Sequence, residues 1–218
     1  MASRTAPALQ QYGAALRALL VLTVLLGLVY PLVMTAVAQV AFGSNADGSL
    51  VHRGGKTVGS DLIGQAFTRP VLVTGKPKMD ADGNPVVEAD PAYFQSRPSA
   101  AGTGYDPLST SASNLGPDNK DLIAAIKERR ATAAKLDGVS PSSVPPDALL
   151  ASGSGLDPHI SPAYADEQIA RIARERNLSV ANVRQLVDEH TQGRTLGFLG
   201  EERVNVVELN LALDALTT

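Results

Sequence analysis

Between Arg17 and Asp47 the chain reads ALLVLTVLLGLVYPLVMTAVAQVAFGSNA, with no charged residue and no histidine. No other feature constrains the fold as much. A helix needs about 20 apolar residues to cross the hydrocarbon core of a bilayer, and residues 18–42 supply them. Leu and Val each favour the bilayer centre by about 0.3–0.6 kcal/mol. Pro31 would break a helix in water but is tolerated in a membrane span. A core helix of this length with no polar face does not suit a 218-residue chain. A cleaved signal peptide is the closer rival, because Ala36–Gln39 (AVAQ) offers an A-x-A cleavage pattern. The apolar run before it, however, exceeds the usual signal core of about 7–15 residues. An uncleaved anchor over 18–42 is therefore expected, with residues 1–17 as a short tail.

Charges flanking the span set its direction only weakly. Arg4, Arg17 and the amino terminus lie on one side, and Arg53 and Lys56 near the other. A short tail inside and a large domain outside is the expected arrangement. Thr23, Gly27, Pro31 and Thr35 recur at i, i+4 spacing, and such small residues in line let another helix approach closely. Small residues are also common in any membrane helix, so this candidate packing face has an ordinary explanation beside the functional one.

Beyond the span, a net charge of −3 argues against nucleic acid as a partner. Without cysteine there is no disulfide framework and no thiolate metal site. The three histidines, at 52, 159 and 190, are scattered, which argues against a histidine metal site.

Residues 43–218 read as one mixed α/β soluble domain, so the fold class is α+β with an N-terminal transmembrane helix. SLV and KTVG flank a turn at His52–Gly55. VLV and PVVEA form a second expected strand pair around Asp82-Gly83-Asn84. Pro117 suits a first helical position, with Leu122, Ile123 and Ile126 on one face. The Ser/Pro/Gly-rich stretch from Lys135 to Pro158 reads as a surface connection. Ser161-Pro162 starts a helix with a buried stripe of Ala165, Ile169, Ile172 and Ala173. Ser179 caps another, with Val180, Val183 and Leu186 inward and an end near Gly193. In VNVVELNLALDAL, Asn205 and Glu208 have capping-box spacing, so a short strand turning into a C-terminal helix is expected.

Several stretches imitate chemistry. GGKT at 54–57 lacks the upstream glycine of a phosphate-binding loop and reads as a hairpin turn. DADGNPVVE has its glycine too early for a calcium loop, at the fourth position instead of the sixth, and the twelfth position is Pro91. ASGSGLD lacks nucleophile-elbow spacing. Residues 173–190 have helix-turn-helix offsets, but Asp188 and Glu189 on the second helix would repel phosphate. His159 reads as a linker between the turn at Asp157-Pro158 and the helix at Ser161. YFQSRPSA (93–100) is more telling. Pro98 holds Arg97 extended, which suits bidentate pairing with a carboxylate, inside the domain or on a partner.

The ordered set YPLV, GSLV, VGSDLIGQAF, YFQSRPSA, SNLGP, ASGSGLDPHISP, RNLSV and FLGEERVNVVELNLALD closely resembles the C subunit family of the bacterial Kdp potassium-transporting ATPase. The resemblance covers nearly the whole chain, and RPSA, SGLDPHIS and VNVVELNLALD are its most specific motifs. Residues 70–90 depart from it, reading as an extra hairpin. The resemblance implies a single-span accessory subunit in the bacterial cell membrane, its domain (43–218) outside the cytoplasm and residues 1–17 inside. Its implied partners are the channel-like potassium-binding subunit, the P-type ATPase subunit, a small single-span subunit and membrane lipid. ATP and potassium would be handled by the complex, so no catalytic, cofactor or metal residue is expected in this chain. The family is also described as a catalytic chaperone that raises the pump subunit's ATP affinity, although nothing in the sequence resembles a nucleotide site. Arg97, Pro98, Ser99 and His159 are the candidate structural or subunit-contact residues. A secreted or membrane-tethered binding module unrelated to transport is the alternative.

Overall fold

The computed structural model describes residues 5–216. Arg4, which enters the charge comparison above, lies outside the described residues, as do residues 1–3 of the tail and 217–218. The chain divides into two units, 1–50 and 51–218.

In the first unit, α1 (Thr5–Val24) passes through a π-helical turn (Leu25–Val29) into α2 (Tyr30–Ala41), and a short α3 (Gly43–Ala46) follows. Leu9–Ala41 is one helical stretch of 33 residues holding an apolar window, none of it buried, as suits a membrane-spanning helix. The wide turn has a local cause. Pro31 has no N–H, and its ring presses on the carbonyl four residues back. Enlarging the preceding turn relieves this, and the Tyr30 N–H reaches back five residues to the Leu25 carbonyl. Thr35 Oγ1 donates to the Pro31 carbonyl at 2.8 Å.

The second unit opens with a hairpin of β1 (Leu50–Arg53) and β2 (Lys56–Ser60). Its turn is Gly54-Gly55, both at positive φ, so His52 and Arg53 belong to the strand rather than the turn. Next, β3 (Thr68–Pro70) pairs antiparallel with β6 (Val87–Ala89), Thr68 opposite Ala89. Between them β4 (Leu72–Val73) folds onto β5 (Lys76–Pro77). This corrects the expected pairing of VLV with PVVEA. Thr74 and Gly75 at positive φ reverse the chain early, leaving only Val71 bonded to Val86.

Helix α4 (Lys120–Asp137) starts later than Pro117, because the Asn119 side chain accepts from the N–H groups of Asp121 and Leu122. Ile123 remains exposed, while Ile126 packs against the core. The stretch to Pro158 is not a surface connection. Val144, Ala148 and Leu149 are core residues, and a 3₁₀ turn (Pro146–Ala148) places the last two. After β7 (His159–Ile160), α5 (Pro162–Arg176) and α6 (Val180–His190) start at Ser161 and Ser179, whose side chains accept from Tyr164 N and Asn182 N. Ala165, Ile169, Ile172, Ala173, Val183 and Leu186 are buried as expected, whereas Val180 is exposed. Instead of running on toward Gly193, α6 gives way to β8 (Thr191–Gln192). Then β9 (Arg203–Asn205) turns directly into α7 (Val206–Leu216), with Asn205 Oδ1 accepting from Val207 N and Glu208 N. The three short strands form an antiparallel sheet in the order β7-β9-β8. Its inward residues Ile160 and Val204 meet α5, α6 and α7 in one core. The α+β class expected from the sequence is the one observed.

One buried charge organises this core. The Arg171 side chain is fully buried. It donates to Asp137 at 2.7 Å, to Gln168 Oε1 at 2.7 Å and to the Pro91 and Tyr93 carbonyls. Burial pushes the Asp137 carboxyl up, against the opposing hydrogen bond and charge of Arg171. Removing one partner of a buried pair strands the other and costs about 3–5 kcal/mol. Arg171→Met should therefore lower the thermal midpoint of the full chain by about 10 °C, and Arg171→Met with Asp137→Leu should recover part of that loss. Thermal unfolding followed by circular dichroism measures both.

Candidate functional site

Three chain segments converge where the most specific motifs lie. The segment 93–99 crosses α5 and α7, held mostly by side chains that reach its backbone. Phe94 N–H donates to Asn210 Oδ1 at 2.9 Å, and Asn210 Nδ2 returns a bond to the Phe94 carbonyl at 2.9 Å. Gln95 N–H donates to Gln168 Oε1 at 2.6 Å, and Gln168 Nε2 reaches the Gln95 carbonyl at 3.2 Å. A carboxamide that both donates to and accepts from one residue imitates a strand neighbour. It can hold extended chain beside a helix.

Arg97 emerges from this anchored segment. Its Nη1 donates to Asp157 Oδ2 at 3.1 Å and its Nη2 reaches the Leu150 carbonyl at 3.4 Å. The guanidinium thus divides between a carboxylate and a carbonyl, unlike the two-point fork on one carboxylate expected above. Asp157 Oδ1 faces the other way, accepting from the His159 backbone N–H at 3.0 Å and lying 3.2 Å from His159 Nδ1. Burial would raise the Asp157 carboxyl; the hydrogen bonds from His159 and the charges of His159 and Arg97 outweigh it and hold the group below the usual range. His159 is no linker: it sits in β7, paired with Asn205 of β9.

Past Pro98, Ser99 closes the second half. Its hydroxyl donates to the Gly155 carbonyl at 2.6 Å and accepts from Tyr105 N–H at 2.8 Å and Ala101 N–H at 3.1 Å. The Tyr105 hydroxyl donates to the Arg97 carbonyl at 2.6 Å. Burial, only partly offset by a hydrogen bond with Ser96, pushes its phenol up to about 12, so it stays a donor at neutral pH. Two glycines permit this closeness. A Cβ at Gly64 would lie 2.3 Å from the Tyr105 ring, and one at Gly155 would lie 2.7 Å from Ala101 N. Gly155 also sits at φ 71°, where only glycine is at ease.

A groove of about 260 Å³ opens beside this junction, lined by Arg97, Asp157 and His159 together with Asp147, Glu201 and Arg203. Among the described residues no group of three or more His, Cys, Asp or Glu is placed to hold a metal ion. A second cavity of about 320 Å³ lies at Phe67, Tyr93 and Asp214. There Asp214 pairs with Arg53 and, at 2.8 Å, with Arg176, which also lies over the Tyr93 ring at 4.4 Å.

The structure brings Arg97, Pro98, Ser99 and His159 into one neighbourhood. Asp157, Tyr105, Gly64 and Gly155 complete it and were not singled out from the sequence. Gln168 and Arg171 carried a usable signal, because Tyr164, Gln168 and Arg171 fall at i, i+4, i+7, alongside the apolar stripe of α5. Thr23, Gly27, Pro31 and Thr35 belong to the first unit. In an unbroken α-helix an i, i+4 row drifts by about 40° per step. A turn with one extra residue takes back about 100°, so the π-turn straightens this row along the helix.

Among the described residues one exposed apolar helix is long enough to span a membrane, and with the α+β domain that follows it the chain fits the class of membrane-associated proteins. The family model described as "KdpC: K+-transporting ATPase, c chain" matches residues 12–215, and the chain belongs to that family. Among its relatives is the "Potassium-transporting ATPase KdpC subunit" of Kineococcus radiotolerans, 51% identical over 205 residues, covering 94% of this chain and 93% of the relative. The proteins of that name from Streptomyces avermitilis and Mycobacterium tuberculosis H37Rv are 48% and 47% identical. Those matches each cover 93% of this chain, with 92% and 96% of the respective relatives.

The junction predicts a pH signature. An aspartate whose folded pKa is depressed contributes stability above its unfolded pKa, and loses that contribution as pH falls through the folded value. Asp157→Asn should therefore cost about 1–2 kcal/mol at pH 7, and its deficit against the parent should shrink below about pH 4. Urea unfolding at pH 7 and pH 3 reads the difference, and an equal deficit at both would refute it.

Proposed function

We propose that this chain is a non-catalytic, single-span subunit that stabilises the assembly of a potassium-transporting ATPase, with residues 43–218 outside the cytoplasm and 1–17 inside. One observation carries the reading. The groups of its most specific motifs are engaged in holding loops together: Arg97 on Asp157, Ser99 on Gly155 and Asn210 on Phe94. Such a site positions a rigid surface. Arg97 cannot itself be a potassium ligand, since a fixed cation repels the ion. The expected partners are the channel-like subunit, the P-type ATPase subunit and the small single-span subunit, which handle potassium and ATP. GGKT supports no nucleotide role, because its glycines close the β1–β2 hairpin and no helix follows them.

Orientation is tested with an exposed position. A cysteine replacing Ser113, in a chain that otherwise has none, should react with a membrane-impermeant thiol reagent on intact cells. Labelling only after lysis would place the domain inside and favour the ATP-chaperone role instead.

The membrane helix is assigned a partner along its straightened row. A Cβ at Gly27 would meet nothing within 4 Å in this chain, so its surface is open to another helix. Gly27→Leu should reduce co-purification with the other subunits several-fold, while Leu22→Ile should leave it unchanged. Equal recovery of both variants would remove the row as a packing face.

A further inference from the structure

Two buried carboxylate oxygens have no hydrogen-bond partner among the described residues: Oδ2 of Asp137, at the end of α4, and Oε1 of Glu167, on α5. Both are acceptors, so neither satisfies the other while both groups are ionised. Asp137 is only 4% exposed, where an unmet oxygen is costly. The surrounding bonds place the two groups together. Tyr164, Glu167 and Arg171 follow at i, i+3 and i+7 along one side of α5, and Arg171 holds Asp137 at 2.7 Å. Asp147, in the 3₁₀ turn, accepts from the Ser161 N–H at 2.7 Å and from its hydroxyl at 3.1 Å. Glu167 therefore stands between two carboxylates already fixed to its own helix. Arg171 does not offset it, because its donors are engaged on Asp137, Gln168, Pro91 and Tyr93. Other cations are engaged or lie elsewhere: Arg184 of α6 meets Asp166, and Arg203 of β9 lies in the groove beside Asp147. From α4, Glu128 and Arg129 line a groove with Tyr164, and Arg129 donates to the Leu149 carbonyl at 2.9 Å. Burial first, then the charges of Asp137 and Asp147, push the Glu167 carboxyl up to about 7. Burial and the charges of all three acids likewise raise the Tyr164 phenol, against Arg171.

We propose that Glu167 and Asp137 form a proton latch, in which the protonated Glu167 carboxyl donates to Asp137 Oδ2 and ties the end of α4 to α5. One proton satisfies both orphaned oxygens. When it leaves, three negative groups face one another, and the joint between α4, the 3₁₀ turn and α5 loosens. The effect reaches the Arg97 junction, because the Leu150 carbonyl just after that turn is one of the two partners of Arg97. The latch goes beyond the assembly reading and does not depend on it. Its sign is fixed by linkage. A carboxyl raised in the folded state contributes stability below its unfolded value, ordinarily 4.5, and loses that contribution as pH rises through the folded one.

The test compares the full chain with Glu167→Gln, whose amide keeps the shape and can donate to Asp137 at any pH. Urea unfolding is measured at about pH 5.5 and about pH 8. Between them the unfolding constant of the parent should rise about tenfold more than that of Glu167→Gln, a figure that already allows for solvent screening at a half-buried group. Infrared spectra of the parent labelled with ¹³C-glutamate should show a carboxylic-acid carbonyl band at about pH 6. That band should vanish by about pH 9 and be missing from Glu167→Gln. An equal pH response in the two chains, or no such band, overturns the latch. Stability at about pH 8 that added Na⁺, K⁺ or Ca²⁺ restores to the acid value would place a cation between the carboxylates and overturns it too. If Glu167→Gln does not fold, the labelled band of the parent decides by itself.

Discussion

A guanidinium with no access to water is costly unless each of its donors finds a partner. In this domain the partners of Arg171 come from separate places: Asp137 at the end of α4, Gln168 on its own helix, and the backbone of the segment that begins the YFQSRPSA motif. Satisfying one side chain therefore brings α4, α5 and that segment into one arrangement. Gln168 passes the constraint on to Gln95, two residues before Arg97. The position of Arg97 is thus set by the packing of α5 as well as by the proline that follows it.

The second constraint is mutual use of backbone and side chain among segments distant in sequence. Asn210 of α7 holds Phe94, Ser99 holds Gly155, and Val206 N–H donates to the Pro158 carbonyl at 3.0 Å. With strands of two to five residues, the sheets provide few ladder bonds. Side-chain amides and hydroxyls satisfy much of the remaining backbone, which a buried loop requires. This explains why small and polar residues such as Gly64, Ser99, Gly155 and Asn210 dominate the junction. Larger side chains would separate the segments that these bonds join.

In the membrane unit the local chemistry of proline has a longer reach. Pro31 removes one backbone donor, and the helix answers with a π-turn. The extra residue in that turn brings Thr23, Gly27, Pro31 and Thr35 closer to a single line. Thr35 meets its own hydrogen-bonding need by donating to Pro31, so the row presents small, largely self-satisfied groups.

Features governed by local chemistry were legible from the amino-acid sequence. The span follows from hydropathy alone, the helix starts at Ser161 and Ser179 from side-chain capping, and the strand-to-helix turn at Asn205 from capping spacing. The inward residues of α5 follow from period 3.6, and the Gly54-Gly55 hairpin from the turn's need for positive φ. The resemblance of its ordered motifs to a potassium-transporting ATPase subunit was also readable there. Tertiary structure alone decided what meets what. Asp157 lies sixty positions from Arg97, and no local propensity encodes a pairing at that distance. The Ser/Pro-rich stretch resembled a surface loop because composition averages over residues, whereas burial acts on Val144, Ala148 and Leu149 one at a time. The turn expected at Asp82-Gly83-Asn84 forms, closed on Asp80, but Thr74-Gly75 adds an earlier one, so Leu72-Val73 pairs with Lys76-Pro77 and the residues before it take up the partner strand. Periodicity points to residues that face inward. Only the packed chain reveals that Arg171, a charge, is among them, because only there are all its partners present at once.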